Sequence, residues 1–560
     1  MLQIISYLVC AAALALWVVA RIRGKKTAAQ TVLAESGFDA WFSAHSGTVY
    51  KAAFAVILLV AALTRLWLLG DIPYGLNQDE ASIAYDSFAI GNYGYDRNGY
   101  HLPVYPIAHG DGHGPLYTYM SIPIIRLLGL SVFSARLTNA LLSVAASVFM
   151  YLLLKRLTQS RPAALIGFAV AATAPVLIMS ARWAHDSTPG PSLFVIGIYL
   201  FIRAAESQKT LSYGLTAAFF ALICYSYGPA AFVVAPFLVL TCVYLLCHKK
   251  IKVLQLLISG AAFLAIIAPL ALFMHREALG LPAINAFISF PRFTVSRASG
   301  VLRDTISLGS FWSGITKMIF QPNDFIYNTA PGFGTTYLFT APVIICGAAV
   351  LIVKTKIKEY SHYIFIAAYC VSAVFLCGII EQNVNRISIV FPAVIILIAL
   401  AAYEIAKRSR LLALALCLCA AVSFAGFSAY YFGDGYKKDM GNEFFVSFGD
   451  AVEYAAEKTD GTIYVSNTSH NIPHVSVLFF TETPPAEFYE TVKYYNPNGE
   501  WRWAESFGRF VFYGGYFAPL QAYPTGVYIV HNSEIGLFDP EVFGTERFEN
   551  YSVMYPAEVG

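Results

Sequence analysis

Long apolar runs separated by short polar connections dominate this chain, and they limit the folds that are open to it. A membrane-spanning helix needs about 20 apolar residues, and about twelve runs approach that length. They cover residues 2–20, 51–70, 132–154, 162–180, 190–206, 211–226, 229–247, 252–273, 336–353, 362–380, 387–405 and 411–429. The sequence therefore predicts a polytopic α-helical membrane protein with about twelve spans.

The composition supports this assignment. Of the 560 residues, 57% are hydrophobic and only 13% are charged, whereas soluble domains average about 25% charged residues. The net charge of +3 is too small to indicate nucleic acid as a partner, so the expected surroundings are a lipid bilayer. None of the nine cysteines lies in the polar stretches 71–131, 275–335 and 430–560, so no disulfide framework is predicted.

Basic clusters indicate which connections face the cytoplasm, because connections rich in lysine and arginine stay on that side. The clusters occupy every second connection, at 21–26, 155–161, 203–209, 248–252, 354–358 and 407–410. The loops 71–131 and 275–335 and the tail from residue 430 then face outward. We expect a multi-pass plasma-membrane protein with an outward-facing site. The lack of disulfides and the extra N-terminal span favour a bacterial membrane.

Three regions differ in character. Residues 1–50 hold an N-terminal span and a cytoplasmic connector, residues 51–430 form a membrane domain, and residues 431–560 form a C-terminal domain. The tail contains a predicted helix, "DAVEYAAEK", and then the predicted short strands "TIYVSN", "VSVLFF", "RFVFYGG" and "GVYIVHN". This pattern predicts a small α/β domain outside the membrane.

Two adjacent acids, Asp79 and Glu80, stand just beyond the end of the second apolar run. Partial burial at such a boundary raises the pKa of a carboxyl group and suits it to act as a general base. A solvated pair that stops the span, or an N-cap for the helix in "EASIAYDSFAI", explains the same residues equally well. The dipeptide alone does not decide between these interpretations.

The residues that follow favour catalysis. After the two acids come "GYHLP", "GPLYTYM" and "GLSVFSAR", in that order. Over residues 75–155 this combination resembles the first outward loop and following span of the polyprenyl-phosphate-dependent glycosyltransferases of the GT-C superfamily. It is most similar to the protein O-mannosyltransferase and aminoarabinose transferase group. The resemblance implies a GT-C-like membrane domain that transfers a sugar.

Two further stretches extend the resemblance to roughly residues 50–410. "SARWAHDSTPG" places Arg182 and Asp186 in the second outward connection, where an interfacial ion pair is the alternative. "EQNVNRISIVFP" resembles the family's arginine-and-proline span, although Ile387 replaces the usual tyrosine; an arginine that only anchors the helix is the alternative for Arg386. The "WWD.G" signature of oligosaccharyltransferases has no match in the tail, so we do not expect transfer of a preassembled glycan to asparagine.

The resemblance also implies a donor in which a sugar is linked through phosphate to a polyprenyl chain. Asp79 would be the general base of an inverting displacement. Arg386 and Arg182 would neutralise the phosphate leaving group by charge-assisted hydrogen bonds. The acceptor is left open as a protein, a lipid or a cell-wall glycan.

The remaining predicted site residues have supporting roles. Glu80 would orient the loop that carries Asp79 or bind a hydroxyl group, and Asp186 would position the nearby arginine or contact the acceptor. His113, Tyr117 and Arg136 stand in or beside the same motifs and complete the predicted substrate-binding set.

The run "HGDGH" raises the question of a metal. His109, Asp111 and His113 would face one way on an extended chain, and these side chains do bind metals. The sequence identifies no further ligand, and a phosphate leaving group held by arginines needs no metal. We therefore predict no cofactor and treat these residues as polar contacts to substrate, with a divalent metal as the minor alternative.

Two other classes of function compete with the enzyme. A transporter or flippase of lipid-linked glycans also has many spans, but it keeps ionisable residues near mid-span, where Arg65 and Arg126 are the arguable cases. A scaffold whose working part is the tail is the third possibility. The enzyme hypothesis requires Asp79, Asp186 and Arg386 to converge around one outward cavity.

Overall fold

The computed structural model describes residues 37–295, 301–303, 305–321, 324–355, 360–499, 501–514 and 525–557. The predicted run 2–20 lies outside these residues, and each of the other runs falls on one or two helices. The helices up to the last predicted span are α1 (Gly37–Leu66), α2 (Gln78–Tyr93), α3 (Pro115–Leu128), α4 (Val132–Thr158), α5 (Arg161–Thr173), α6 (Pro175–Ser180), α7 (Pro189–Ser207), α8 (Thr210–Ile223), α9 (Ala231–Cys247), α10 (Val253–Ala278), α11 (Leu308–Phe320), α12 (Ala341–Lys354), α13 (Tyr363–Ile379), α14 (Phe391–Ala406) and α15 (Arg410–Tyr431).

Within the described ranges, six helical stretches are long and apolar enough to cross a membrane by length and composition. They are His45–Leu66, Val132–Thr158, Gly228–Cys247, Val253–Ala278, Ser388–Ala406 and Arg410–Tyr431. Helices α5, α8, α12 and α13 are apolar but shorter. Helix α14 is the central one, because it is buried along most of its length against α5 and α12. The exact number of spans stays a prediction.

Local sequence signals explain where many helices begin. The hydroxyl groups of Ser131, Ser160 and Ser409 each accept a hydrogen bond from the backbone N–H three residues later, at 3.2, 3.4 and 3.2 Å. These are N-caps, which satisfy a backbone donor that the helix itself leaves unpaired. Helices α3 and α7 instead begin with Pro115 and Pro189, whose fixed φ suits the first helical position.

The connections predicted to be cytoplasmic meet at one end of the helices. Arg156 Nε lies 2.7 Å from Glu206 Oε2, and His362 Nε2 lies 3.8 Å from Oε1 of the same glutamate. Lys354 Nζ lies 3.3 Å from Glu404 Oε1. The first two contacts join the ends of α4 and α7 to the start of α13, and the third joins the ends of α12 and α14. The grouping agrees with the predicted alternation, and which membrane face this end occupies stays a prediction.

The two long loops predicted to face outward pair with each other. The backbone N–H of Val104 donates to the carbonyl of Ser289 at 2.9 Å, and Ser289 N–H donates to the His101 carbonyl at 3.0 Å. Farther along, Thr294 N–H donates to the Gly110 carbonyl at 2.8 Å. The second long loop therefore holds the "HGDGH" segment of the first in a defined conformation.

The C-terminal domain is a mixed sheet with helices packed on it. Its described helices are α16 (Asp434–Met440), α17 (Phe448–Lys458), α18 (Pro473–Thr481) and α19 (Pro485–Thr491). Its described strands are β1 (Ile463–Ser466), β2 (Lys493–Tyr494), β3 (Ala504–Phe507), β4 (Phe510–Tyr513), β5 (Val527–His531), β6 (Phe543–Arg547) and β7 (Tyr551–Pro556), in the order β2-β3-β4-β1-β5-β7-β6. Strand β1 is parallel to β4 and β5, and the other pairs are antiparallel. The predicted α/β class is confirmed.

One predicted strand was wrong: "VSVLFF" belongs to helix α18. Every residue from Pro473 to Phe479 is buried, so the run is apolar on all sides and has no period that separates a strand from a buried helix. Pro473 at the first helical position is the local signal for a helix. The helix packs between α2 and α17.

The C-terminal domain is joined to the first outward loop through a shared core. Ile83 and Tyr85 of α2 lie in the same buried cluster as Val475 and Leu478 of α18. The Tyr85 hydroxyl also donates a hydrogen bond to the backbone carbonyl of Thr483. Burial of these apolar side chains fixes the sheet domain directly over the helix that begins at the two acids.

Candidate active site

Helix α2 begins with a capping box that involves only one of the two acids. The Asn77 side-chain oxygen accepts from Asp79 N–H at 2.8 Å, and Asn77 N–H donates to Glu80 Oε2 at 3.2 Å. The N-cap is therefore Asn77 and neither acid, and Glu80 completes the capping box from position N3, three residues after the cap. The Asp79 side chain takes no part in the cap, and 26% of it is exposed.

Glu80 forms a two-pronged ion pair with Arg136. The Arg136 Nε and Nη2 atoms donate to the two carboxylate oxygens of Glu80, both at 2.9 Å, and neither side chain has any exposed surface. Ala184 N–H also donates to Glu80 Oε1 at 2.8 Å. The remaining guanidinium hydrogens go to the carbonyls of Leu69, Pro73 and Gly75. Contact between Arg136 and the substrate stays a prediction. This geometry does not favour it.

Three histidines surround the Asp79 carboxylate. His109 Nε2 and His113 Nε2 lie 3.4 and 3.8 Å from Asp79 Oδ1, and His185 Nε2 lies 3.8 Å from Oδ2. Burial by itself favours the neutral carboxyl group. The hydrogen bond with His109 and the neighbouring rings of His113 and His185 outweigh it and hold the pKa of Asp79 well below its usual range. Asp79 is therefore ionised at physiological pH.

The protonation of His113 is governed by burial, which favours the neutral ring. Burial, opposed by Asp79, lowers the pKa of His113 to about 3, so that its ring is neutral at physiological pH. Its Nε2 atom is buried and has no hydrogen-bond partner among the described residues. This neutral imidazole nitrogen has no such partner and faces a carboxylate oxygen. It is therefore well placed to contact a ligand that lies between the two atoms.

Asp186 lies on the far side of His185 from Asp79. Its Oδ1 atom is 3.1 Å from His185 Nδ1, and its Oδ2 atom accepts from Gly114 N–H at 2.7 Å. Burial raises the pKa of Asp186, whereas that of Asp79 is lowered. Such a separation of two neighbouring carboxyl groups is typical of sites that move protons.

Two predicted substrate-binding residues lie in the interior. The Arg182 guanidinium has no exposed surface and donates to a set of backbone carbonyls at and after the end of α1: Thr64, Trp67, Leu68 and Ile72. This satisfies carbonyl groups that a helix end leaves unpaired. The Tyr117 hydroxyl donates to the Ala135 carbonyl at 2.8 Å, and the residue is 1% exposed. Substrate contact by Arg182 or Tyr117 stays a prediction, and their geometry is that of supporting residues.

Arg386 is half-buried. Its Nη1 atom lies 3.3 Å from Glu381 Oε2, and 26% of its side chain is exposed. It also contacts Tyr227, whose pKa is raised by burial and by Asp186 and Asp79, and lowered by Arg386. Asp79, Asp186 and Arg386 are therefore near enough to influence the pKa of the Tyr227 hydroxyl. Their convergence around one outward cavity, which the enzyme hypothesis requires, stays a prediction.

The sequence did not single out three residues of this site. His185 precedes Asp186 directly, so its position beside a predicted acid was a usable signal. Tyr227 stands in the short connection between two apolar runs, where no local pattern links it to the acids. Trp501 stacks on His109 with ring centroids 5.3 Å apart and an angle of 24°, and no local pattern connects it to the first outward loop. The C-terminal domain thus forms part of the wall of the site.

An open cleft lies beside the start of α2. Its volume is about 380 Å³, and its lining residues come from α2, the second outward loop and the C-terminal domain: Asn77, Gln78, Tyr327, Asn442, Glu443 and Phe445. The polar lining and the aromatic rings of Tyr327 and Phe445 suit a sugar or another hydroxylated ligand.

One group of side chains at the site can hold a metal ion. Asp79, His109 and His113 each offer one ligand atom, and these atoms lie within 4.8 Å of one another. Asp111 of the "HGDGH" run is not in the group. Asp79 supplies the carboxylate ligand that the sequence interpretation assigned to Asp111. One carboxylate and two imidazoles form a ligand set typical of zinc.

We expect the substitution Gly114→Ala to destabilise the site. A methyl group at Gly114 would collide with the backbone carbonyl of Ser226, and Gly114 N–H holds Asp186. Overpacking of this kind typically costs about 1–3 kcal/mol, so the thermal unfolding temperature in detergent should fall by several degrees. Gly214→Ala is the matched control, because its methyl group would meet nothing within 4 Å. Equal unfolding temperatures for both variants would contradict the expectation.

Comparisons with known proteins bear on the family and the fold. Residues 112–273 match the family model described as dolichyl-phosphate-mannose-protein mannosyltransferase. A protein of Aquifex aeolicus (strain VF5), described only as uncharacterized, is 25% identical over 300 residues. That match covers 51% of this chain and 57% of the relative, so the chain spans less than two thirds of the relative's length.

Two solved structures share the fold. ArnT from Cupriavidus metallidurans bound to undecaprenyl phosphate aligns with a TM-score of 0.57 and 12% identity, over 91% of this chain and 98% of that chain. The apo state of ArnT aligns with a TM-score of 0.54 and 13% identity over the same shares. At this identity the likeness concerns the fold alone. Together with the family match, it confirms the predicted GT-C resemblance and membrane fold class.

Proposed function

We propose that this relative of the GT-C glycosyltransferases transfers a sugar from a polyprenyl-phosphate-linked donor to an acceptor outside the cytoplasm. The match of residues 112–273 to a mannosyltransferase family supports the reaction class. The bound undecaprenyl phosphate of ArnT, which shares the fold, supports a polyprenyl phosphate as the lipid part of the donor. The sugar and the acceptor are left open.

The observation that carries this proposal is the exposure of Asp79. Of the three predicted catalytic acids, Asp79 has 26% of its side chain exposed, whereas Glu80 has none and Asp186 has 5%. Asp79 is therefore the acid that an acceptor hydroxyl can reach, and the two residues before it, Asn77 and Gln78, line the cleft at the start of α2. A general base must come within hydrogen-bond reach of the proton that it removes.

The proposed reaction is a single in-line displacement. The acceptor oxygen forms a bond to the anomeric carbon while the bond from that carbon to the phosphate oxygen breaks, so the anomeric centre is inverted. The hydroxyl proton passes to Asp79, and the electron pair of the broken bond stays on the polyprenyl phosphate. Arg386, a partly exposed cation beside Tyr227, would stabilise the phosphate charge as this develops.

The buried polar residues would act by positioning. Glu80 and Arg136 fix the first turn of α2, which carries Asp79. The N–H and hydroxyl groups of Ser187 hold His185 Nδ1 by hydrogen bonds, and Asp186 Oδ1 lies beside the same nitrogen, while Nε2 of that ring faces Asp79. Rigid support of this kind keeps a reacting carboxylate in one geometry, and small displacements of such groups lower the rate strongly.

The test is release of polyprenyl phosphate by the purified wild-type protein. A panel of radiolabelled polyprenyl-phosphate sugars, including mannose and aminoarabinose donors, would be incubated in detergent with crude membranes as the source of acceptor. We expect one donor class to release polyprenyl phosphate in proportion to enzyme. His275→Ala, an exposed residue outside the site, is the control variant and should show the same rate.

The same donors distinguish a transferase from the main alternative, a flippase. If a correctly folded protein releases polyprenyl phosphate from none of them, but speeds their movement across proteoliposome membranes, the protein is a flippase and the transferase proposal is wrong. The buried position of Arg65 gives no support to the transporter, because its guanidinium donates to the carbonyls of Ala171 and Ala172.

A further inference from the structure

The cleft at the start of α2 has walls from three separate parts of the chain. Its lining residues come from the start of α2, from the second outward loop, and from the segment between α16 and α17: Asn77, Gln78, Tyr327, Asn442, Glu443 and Phe445. Its volume of about 380 Å³ lies in the range of small-ligand sites, about 300–1,000 Å³. A ligand in this cleft therefore contacts the chain directly before the proposed base, Asp79.

Aromatic contacts connect the wall of the cleft to that base. The ring centroids of Tyr327 and Trp183 are 5.7 Å apart, and those of Trp183 and His185 are 4.7 Å apart. His185 Nε2 in turn lies 3.8 Å from Asp79 Oδ2. Burial raises the pKa of Tyr327, and both Asp79 and Glu443 raise it further, so its hydroxyl is within electrostatic reach of both carboxylates. Tyr327 thus joins the cleft to the site of the proposed reaction.

The cleft presents oxygen acceptors rather than cations. Gln78 Oε1 is buried and has no hydrogen-bond partner among the described residues, and Glu443 is an exposed carboxylate on the same cleft. Within the described part of the chain, no lysine or arginine lines it. A buried acceptor without a donor is costly, so Gln78 Oε1 requires a donor from a bound molecule.

The other amides of the cleft already have partners within the protein. Asn77 Oδ1 caps α2, and the Asn442 amide donates to two oxygen atoms of the C-terminal domain at 3.4 and 3.2 Å. Gln78 and Glu443 are therefore the polar side chains of the cleft that a ligand can engage. Both accept hydrogen bonds, so the ligand must be rich in donors.

Two aromatic rings of the cleft are held in fixed positions. Tyr327 stacks on Phe325 with ring centroids 5.1 Å apart and an angle of 5°, and Phe445 stacks on His470 with centroids 3.6 Å apart and an angle of 14°. Rings that are already fixed lose little freedom when a ligand packs against them. The C–H faces of a sugar pack on aromatic rings, while its hydroxyl groups stay available as hydrogen-bond donors.

We propose that this cleft binds the acceptor, and that the acceptor is an uncharged glycan whose hydroxyl groups donate to Gln78 Oε1 and to the Glu443 carboxylate. The inference deepens the proposed function and rests on it. A further hydroxyl of the same glycan would be the one that attacks the donor and gives its proton to Asp79.

The charges of the cleft oppose other acceptors. A phosphorylated lipid headgroup would bring negative charge to Glu443 and to the neighbouring ionised Asp79, and like charges in contact disfavour binding. A peptide is recognised by pairing with a strand edge or by apolar grooves. None of the lining residues belongs to a strand, and the side chains other than the two rings are polar.

The first measurement is binding of neutral oligosaccharides in the absence of any donor. Mannotriose, cellotriose and chitotriose would each be titrated calorimetrically into the full-length protein, in a detergent without a sugar head group, because an alkyl glycoside would compete. We expect at least one to bind saturably. Glu443→Gln should weaken its binding about 10–100-fold, because a hydrogen bond to a charged group is lost. Glu457→Gln removes an exposed glutamate of the same domain outside the cleft and should bind as the wild type does.

The transfer assay then tests the bound glycan as acceptor. With the donor that releases polyprenyl phosphate, the label should move onto the oligosaccharide, and Glu443→Gln should raise the KM for that oligosaccharide about 10–100-fold. A serine- and threonine-containing peptide and vesicles with an anionic phospholipid are the competing acceptors, and neither should be labelled.

The outcomes separate this inference from the proposed function. If the wild type binds none of the oligosaccharides, or if Glu443→Gln binds them as tightly as the wild type, the inference is wrong. Label on the peptide or the phospholipid, with none on any oligosaccharide, would overturn the inference and keep the transferase. Saturable oligosaccharide binding without release of polyprenyl phosphate from any donor would keep the cleft as a glycan site and overturn the proposed function.

Discussion

Replacing Asp79 with asparagine is expected to lower the rate of sugar transfer by about 10²–10⁴-fold, which is the usual contribution of a general base. The substitution keeps the shape of the side chain but removes the charge that accepts the proton. The backbone N–H of Asp79, which makes the helix cap to Asn77, is unchanged, so α2 should keep its first turn. The measurement is the initial rate of polyprenyl-phosphate release at saturating donor.

The matched control for this prediction is Asp71→Asn. Asp71 is an exposed acid in the same outward loop, so its loss changes the charge of the loop by the same amount and leaves the cluster intact. We expect a wild-type rate for this variant. If Asp79→Asn retained the full rate while folded, Asp79 would not be the base, and Asp186, with its raised pKa, would be the next acid to test.

The membrane fold was predictable because helices that span a lipid bilayer require long apolar runs, and such runs are visible in the sequence. The apolar runs within the described residues fall on helices, and proline at 115 and 189 marks helix starts. The signal failed at "VSVLFF", where a run buried on all sides has no period. It also missed β6, whose side chains are mostly exposed at the sheet edge and so lack an apolar alternation.

The candidate site was predictable only where sequence neighbours carry the chemistry. Asp79 and Asp186 stood out as acids beside apolar runs, and the structure links both to His185. Partners that are distant in sequence could not be assigned. No local pattern states that Arg136 pairs with Glu80, since long-range contacts depend on how the helices pack.

The same limit explains the metal prediction. The "HGDGH" run was judged to lack a further ligand, because a sequence window contains only neighbours. The fold brings Asp79 to His109 and His113 from across the first outward loop. A cluster assembled from separate segments is invisible to spacing rules, which detect ligands only when they share one helix or turn.

Replacing Arg136 with methionine is expected to cost about 3–5 kcal/mol of folding stability, because it leaves the buried charge of Glu80 without its counter-ion. Both side chains are fully buried, and the N–H groups of Asn77 and Ala184 would be the remaining donors to the carboxylate. A strongly reduced yield of monodisperse protein and a lower unfolding temperature in detergent are the expected results.

The exposed Arg126 provides the control, and Arg126→Met should unfold as the wild type does. Adding Glu80→Gln to Arg136→Met should recover part of the loss, since a neutral amide is less costly to bury than an unpaired carboxylate. If Arg136→Met alone were as stable as the wild type, this pair would not be what fixes Asp79 in place, and the positioning role of Glu80 would have to be given up.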